Sequence, residues 1–345
     1  MRNNIGFIAV GQGGGNIGLL FEKLGYTVLF MNTSKEDLST LTDAKHTHHI
    51  KNGEGCNKDR DKAKDLIIED FEGISEQIKQ KLKEEYLYVI FTSGGGTGSG
   101  SSPMLIDLLI QHTDKRVGAI TILPSRTEPL KAFINAYECF KELEEIENTC
   151  ATFILDNSHG DKISINKTFV DLFNSFIDIP KHRHVRGNID VAEVKELLST
   201  RGAAIISKMG KNTSNTPRLI KLFKESIFAA PEADRVIKYI GLSASTKIDL
   251  DTVMLETGTC LDVFQGTNQE NTIGIFCGLT LPYTALDEMR KKVEGEREAV
   301  TKSITATNKT KLTDGINFLS DVPRSKSTSS KSDVSDVFAK YRRKQ

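Results

Sequence analysis

The chain has 345 residues, 46 acidic and 46 basic side chains, and 38% hydrophobic residues, enough apolar content for a sizeable core and two domains. No apolar run is long enough to span a bilayer, the N-terminus MRNNIGFIAVGQGGG lacks the apolar core of a secretory signal, and the balanced charge gives no global reason to expect nucleic-acid binding. Cys56, Cys139, Cys150, Cys260 and Cys277 are scattered, odd in number and never paired as CxxC, which fits a reduced, cytoplasmic protein.

In chain order, residues 5–10 (IGFIAV) predict a strand, followed by a glycine loop and helical periodicity over 11–25. Residues 28–34 (VLFMNTS) predict a second strand and turn, and the charged stretch 57–87 predicts helix up to a strand at 86–93 (YLYVIFTS). Next come the loop 94–100 (GGGTGSG), a helix over 102–111, a strand at 117–124, a long helix over 129–146 and a strand at 151–157. Strands alternating with helices imply an α/β fold with a parallel sheet, whose ligands bind at the carboxyl ends of the strands. Residues 163–179 predict a helix stopped by Pro180. A basic loop, KHRHVRG (181–187), leads to NIDVAEVKELL (188–198). Strands at 203–210, 238–246 and 272–280, with helices over 218–231 and 250–264, make a smaller α/β unit. A charged helix begins at 283, and after about Leu319 the composition is that of a disordered segment.

The two glycine-rich turns carry the chemistry. Phosphate needs close backbone approach, several N–H donors and no side chain in the way. Glycines before a helix supply the approach, and the free amides and dipole of the helix N-terminus supply the donors. Gly94, Gly95, Gly96, Gly98 and Gly100 exceed what a plain strand-to-helix turn requires, and Thr97, Ser99, Ser101 and Ser102 add hydroxyls. No lysine stands where a Walker A loop needs one. The turn at Gly13–Gly18 matches the GxGxxG dinucleotide pattern, but the following strand ends in Asn32 rather than an acid. Two phosphate loops on one sheet point to a nucleoside triphosphate; a nicotinamide-dependent oxidoreductase is the alternative from another class.

GGGTGSG resembles the signature of the tubulin/FtsZ family, and GQGGGNIG resembles that family's first nucleotide loop. NTS (32–34), GEGCN (53–57), TEP (127–129) and NIDVAEV (188–194) follow in the family's order, so the resemblance runs from about residue 5 to about 283. It implies a tubulin-like GTP-binding domain (1–162), a connecting helix (163–180), an activation domain carrying the catalytic loop (181–283), a C-terminal helix (284–320) and a disordered basic tail (321–345). It also implies a GTPase using GTP/GDP with Mg2+ on the phosphates and no metal ligand from protein side chains. Gly11, Gln12, Gly13, Gly14, Gly15 and Asn16 would line the phosphates and base side, with Asn32, Gly55 and Asn57 in the next two loops. Gly94, Gly95, Gly96, Thr97, Gly98, Ser99 and Gly100 would cradle the phosphates, and Glu128 the ribose. Asn157 and Asn166 are candidates for the guanine edge, since an amide donates and accepts; Phe169 and Asn174 are alternatives for the base site.

On spacing alone, Asp190 and Glu193 form a helix-capping pair. The resemblance implies instead that both are catalytic, inserted into the nucleotide site of the next subunit to position the attacking water. The active site would then be complete only in a head-to-tail filament. Within the family the chain is most similar to the TubZ group of plasmid and phage tubulins. That similarity implies DNA segregation through a TubR-like adaptor on centromere-like DNA, with indirect DNA contact and no membrane. A phage spindle and an FtsZ-like cytokinesis protein are the runners-up. His46, His48, His49 and Cys56 match no standard zinc spacing and predict an exposed polar loop. The loop 181–186 is solvated or contacts a neighbour, and the tail, with seven Lys/Arg against three Asp, is a flexible end or binds a partner.

Overall fold

The computed structural model describes residues 1–233 and 236–307. In chain order the strands and helices are β1 (Ile5–Val10), α1 (Gly11–Lys23), β2 (Thr27–Asn32), α2 (Lys35–Ser39), β3 (His46–His49), α3 (Arg60–Glu69), α4 (Phe71–Lys81), β4 (Tyr86–Thr92), α5 (Thr97–His112), β5 (Arg116–Leu123), α6 (Leu130–Glu144) and β6 (Ala151–Asp156). There follow α7 (Lys162–Ile177), β7 (Arg186–Gly187), α8 (Val191–Ser199), β8 (Gly202–Gly210), α9 (Thr216–Lys224), β9 (Ile237–Ala244), α10 (Leu250–Thr257), β10 (Cys260–Thr267), β11 (Asn271–Leu279) and α11 (Tyr283–Thr307).

The strands form one sheet in the order β3-β2-β1-β4-β5-β6-β8-β11-β9-β10-β7. From β3 to β6 every pairing is parallel. The pairing Ala151–Gly202, Thr152–Ala203 and Phe153–Ala204 carries the sheet into its second half. There β11 runs antiparallel to both β8 and β9. The central strands are buried along almost their whole length, as a parallel sheet covered on both faces requires.

One aromatic cluster sets the position of α7. Phe169 and Phe173 pack against Phe21 of α1 and Phe153 of β6, with Phe7 and Tyr88 beneath Phe173. Helical spacing puts Asn166 on the stripe of Phe169 and Phe173, one turn nearer the helix N-terminus. The core thus turns Asn166 toward the carboxyl ends of the strands. The other end of α7 is tied down by Arg2, whose guanidinium meets Asp178 at 2.8 Å.

Four sequence expectations are corrected. The glycine "loops" are largely helix: α1 begins at Gly11 directly after β1, and α5 begins at Thr97. The helix expected to run to Phe264 stops at Thr257, where Gly258 takes φ +115°, and Cys260–Thr267 pairs with β9 instead. The helix expected over 218–231 ends at Lys224. The chain then runs extended beside β6, with the Ala229 amide donating to the Ile154 carbonyl and the Asp156 amide to that of Ile227. His46–His49 is an edge strand paired with β2 rather than a loop. Its His48 ring meets Asp70 at 2.7 Å, and His49 meets the Gly53 carbonyl at 2.9 Å. The expected tail, 321–345, and the end of the expected C-terminal helix lie outside the described residues.

Candidate active site

β1 and β4 are neighbours; β1 passes straight into α1, and β4 passes into α5 through the short turn 93–96. The N-termini of α1 and α5 therefore lie side by side at the carboxyl edge of the sheet. Neither has a side-chain cap: Val10 and Gly96 stand at the capping positions and have no side chain that can accept an amide. Elsewhere Asp59, Asp161, Asp190, Asn215 and Asp249 cap helices with their side chains. Two uncapped N-termini leave adjacent sets of amides for an outside acceptor, with both dipoles favouring negative charge. A cavity of about 380 Å³ opens over them.

Its wall carries most of the residues expected from the sequence: Gly11, Gln12, Gly13, Asn16, Asn32, Gly94–Gly96, Thr97, Gly98, Glu128, Asn157 and Asn166. Asn32 spends its amide on the turn after β2, donating to Asp37 and accepting from the Ser34 amide, both at 3.2 Å. Thr97 shares a 2.7 Å hydrogen bond with Thr33. The Oδ1 atoms of Asn157 and Asn166 are buried and without a hydrogen-bond partner among the described residues. Two buried acceptors with nothing to accept suit the guanine edge, which offers N–H donors at N1 and N2. The alternatives do not reach the cavity. Phe169 is fully buried in the aromatic cluster, and Asn174 accepts from the Tyr26 hydroxyl.

Other expected residues lie off the wall. Gly14 packs on β4: a Cβ there would collide with the Ile90 carbonyl. Gly15 faces Leu41, and a Cβ on Gly100 would come within 2.5 Å of the Arg60 carbonyl. Ser99 is buried, its hydroxyl donating to the Gly95 carbonyl at 2.7 Å. These residues let helices sit close to the sheet and to one another. Gly55 and Asn57 belong to the loop behind the wall, both at positive φ.

Asp190 and Glu193 are not on the cavity wall. They form a capping box on α8: Asp190 Oδ1 accepts from the amides of Ala192 (2.8 Å) and Glu193 (2.9 Å), and Glu193 Oε2 accepts from the Asp190 amide at 2.9 Å. The helix they begin is anchored at the amino ends of the parallel strands. Lys195 bonds Glu85, and Ser199 bonds Tyr86 and Arg116. The cavity lies at the carboxyl ends.

Sequence reasoning missed Asp37, Lys58, Thr92, Ile122, Leu123, Pro124 and Lys162 on the wall. Lys162 pairs with Glu128 at 3.1 Å. It also missed Asn135, a buried amide in α6 that donates to the carbonyls of Lys58 (3.0 Å) and Gly95 (2.7 Å). Nothing in the local sequence around Asn135 signals this, because its partners are far away in the chain. Among the described residues no group of three or more His, Cys, Asp or Glu side chains could hold a metal ion.

A sheet with two uncapped helix N-termini under one nucleotide-sized cavity defines a phosphate-binding α/β fold. Residues 4–163 match the Tubulin/FtsZ family, GTPase domain, and the chain belongs to the tubulin/FtsZ family of GTPases, whose nucleotides are GTP and GDP. It is 33% identical over 315 residues to the tubulin-like protein TubZ of Clostridium botulinum C phage, covering 88% of this chain and 87% of that one. The crystal structure of Clostridium botulinum phage c-st TubZ superposes with a TM-score of 0.76 at 30% identity, over 87% of this chain and all of that one. A GTPγS-form protofilament of Bacillus thuringiensis TubZ shares the fold, with a TM-score of 0.72 at 16% identity and coverage of 87% and 94%. With the family assigned, the oxidoreductase alternative lapses.

Proposed function

We propose that this chain is a filament-forming partition tubulin whose GTPase site is completed by the next subunit, and that its filaments move plasmid or phage DNA. One observation carries the first part. The cavity lies at the carboxyl ends of the parallel strands, while the helix that the acid pair begins is anchored at their amino ends, so a second copy stacked head to tail would bring Asp190 and Glu193 to the phosphates. The carboxylates at the cavity itself are engaged, Asp37 with Asn32 and Glu128 with Lys162. The capping box uses one oxygen of each acid, which leaves the other to orient and polarise a water from the neighbour's side. A contact of this head-to-tail kind propagates into a filament, and the protofilament form of the Bacillus thuringiensis relative supports it.

Within the site, the amides of α1 and α5 and the Gly94–Gly98 turn would hold the phosphates. Glu128 would hold the ribose, and Asn157 and Asn166 the base. Mg2+ would travel with the phosphates and offset their charge. Hydrolysis is then tied to assembly, so the nucleotide times filament stability. The similarity to a phage TubZ supports the DNA-moving role, through a TubR-like adaptor on centromere-like DNA in the bacterial host cytoplasm. The basic residues Arg324, Lys326, Lys331, Lys340, Arg342, Arg343 and Lys344 supply charge for a DNA-bearing partner. Among the described residues no helix is long and apolar enough to cross a membrane.

The test is Asp190→Ala and Glu193→Ala, read by phosphate release alongside light scattering. GTP binding and filament formation should persist while hydrolysis falls by about 10²-fold or more. Hydrolysis near wild type in both variants would reduce the acids to helix caps.

A further inference from the structure

α5 carries a proline in its second turn. Pro103 lies within the helix Thr97–His112. A proline there has no N–H for the carbonyl four residues back, and its ring crowds that carbonyl. The carbonyl belongs to Ser99, in the first turn of the helix, and it is met from outside. The Arg60 guanidinium donates to it through Nε at 3.3 Å and Nη2 at 2.9 Å. Arg60 opens α3 and is only 8% exposed. Its backbone leans on the same turn: a Cβ on Gly100 would come within 2.5 Å of the Arg60 carbonyl. Glu142 of α6 meets Nη2 at 2.6 Å and supplies the opposite charge. A buried ion pair is by itself a weak source of stability, so the pair with Glu142 does not account for bringing a guanidinium inside.

Ser99 ties this contact to the cavity. Its hydroxyl donates to the Gly95 carbonyl at 2.7 Å, and Gly94, Gly95, Gly96, Thr97 and Gly98 all line the cavity. Arg60 itself is not on the wall. We infer that Arg60 is a positioning residue for the phosphates: it replaces the helix hydrogen bond that Pro103 removes, and so fixes the direction in which the free amides at the start of α5 point. The inference rests on the nucleotide reading above and goes beyond it by naming a side chain that holds the phosphate turn in place without touching the nucleotide. The turn serves GDP and GTP alike, so both should depend on Arg60.

Arg60→Met, Pro103→Ala and the double variant test this. GDP and GTPγS are titrated calorimetrically, below each variant's thermal midpoint and at protein concentrations too dilute for assembly. Arg60→Met should weaken both nucleotides at least about tenfold, as loss of a hydrogen bond from a charged donor implies. Pro103→Ala gives residue 103 an amide for the Ser99 carbonyl, so the double variant should bind both nucleotides within about threefold of the unaltered protein. Pro103→Ala alone should bind in that same range. An Arg60→Met chain that fails to fold, beside a double variant that folds and binds, would equally support the replacement. Unchanged affinity in Arg60→Met, with or without a lower midpoint, would reduce Arg60 to a partner of Glu142 and overturn the assignment. So would a double variant as weak or as unfolded as Arg60→Met, or a loss confined to one nucleotide. Binding of neither nucleotide by the unaltered protein would overturn the nucleotide reading instead.

Discussion

Asn157 and Asn166 reach the cavity from different elements, one just after β6 and one from the first turns of α7, and each brings a buried oxygen that none of the described residues satisfies. Leaving such an atom unpaired costs about 1–3 kcal/mol, so a ligand with two adjacent N–H donors recovers a cost already built into the fold. Asn166→Ala should therefore weaken GTP about ten- to a hundredfold. It should also erase discrimination against inosine triphosphate, whose base lacks the 2-amino group. Competition binding of the two nucleotides checks this, and retained discrimination would assign base reading elsewhere. Asn166 was legible in the sequence because the family pattern marks it. Lys58 and Asn135 were not, because their significance comes from chain segments that only folding brings together. The glycines misled for a physical reason: absence of a side chain serves ligand approach and backbone approach alike. Gly14 and Gly100 use it for the second purpose, and even Gly13 and Gly96 on the cavity wall lie within 3 Å of Thr92 and of the Lys58 backbone where a Cβ would stand.

Among the elements, α1 depends most visibly on bare backbone. A methyl group on Gly14 would meet the Ile90 carbonyl of β4, so Gly14→Ala must push the helix off the sheet. Overpacking of this kind costs about 1–3 kcal/mol or more. The expected result is a clear drop in thermal midpoint together with weaker GTP binding, because the N-terminus of α1 moves with it; an unchanged midpoint would mean that α1 sits less tightly on β4 than described. At the opposite end of α7, burial pushes the Asp178 carboxyl up, but hydrogen bonds and charges from Lys181 and Arg2 outweigh it and hold the group below its ordinary range. A carboxylate depressed in the folded state stabilises above its unfolded pKa, about 3.9, and loses that contribution as pH falls through the folded value. Asp178→Asn should thus lower the midpoint at pH 7, and the gap to wild type should close in acid. Midpoints measured from pH 7 to pH 3 decide it; a gap that widens toward acid would contradict the sign. The order of strands and helices through β6 was legible because hydrophobic runs alternate with charged periodic ones. The second half was harder to read. Gly258 ends α10 inside a run with continuous apolar spacing, and the antiparallel insertion of β11 between β8 and β9 leaves no local trace.

For the molecule as a whole, the proposed function places GTP hydrolysis and cargo binding in separate parts of the chain. A chain ending at Ser320 should still hydrolyse GTP and form filaments, while losing much of its binding to an adaptor–DNA complex in a salt-dependent way. Sedimentation of the truncated protein with GTP checks the first half. Failure to pellet would make 321–345 an assembly element instead. The central claim is that the cavity of one copy and the acids of another make the active site, because α8 and the cavity occupy opposite ends of the sheet. GTPase rate per molecule, measured across a wide range of protein concentration, tests it most directly. A site shared between subunits predicts a rate per molecule that rises steeply with concentration and falls toward zero on dilution. A rate per molecule that stays flat down to high dilution would show a self-contained site and contradict the account.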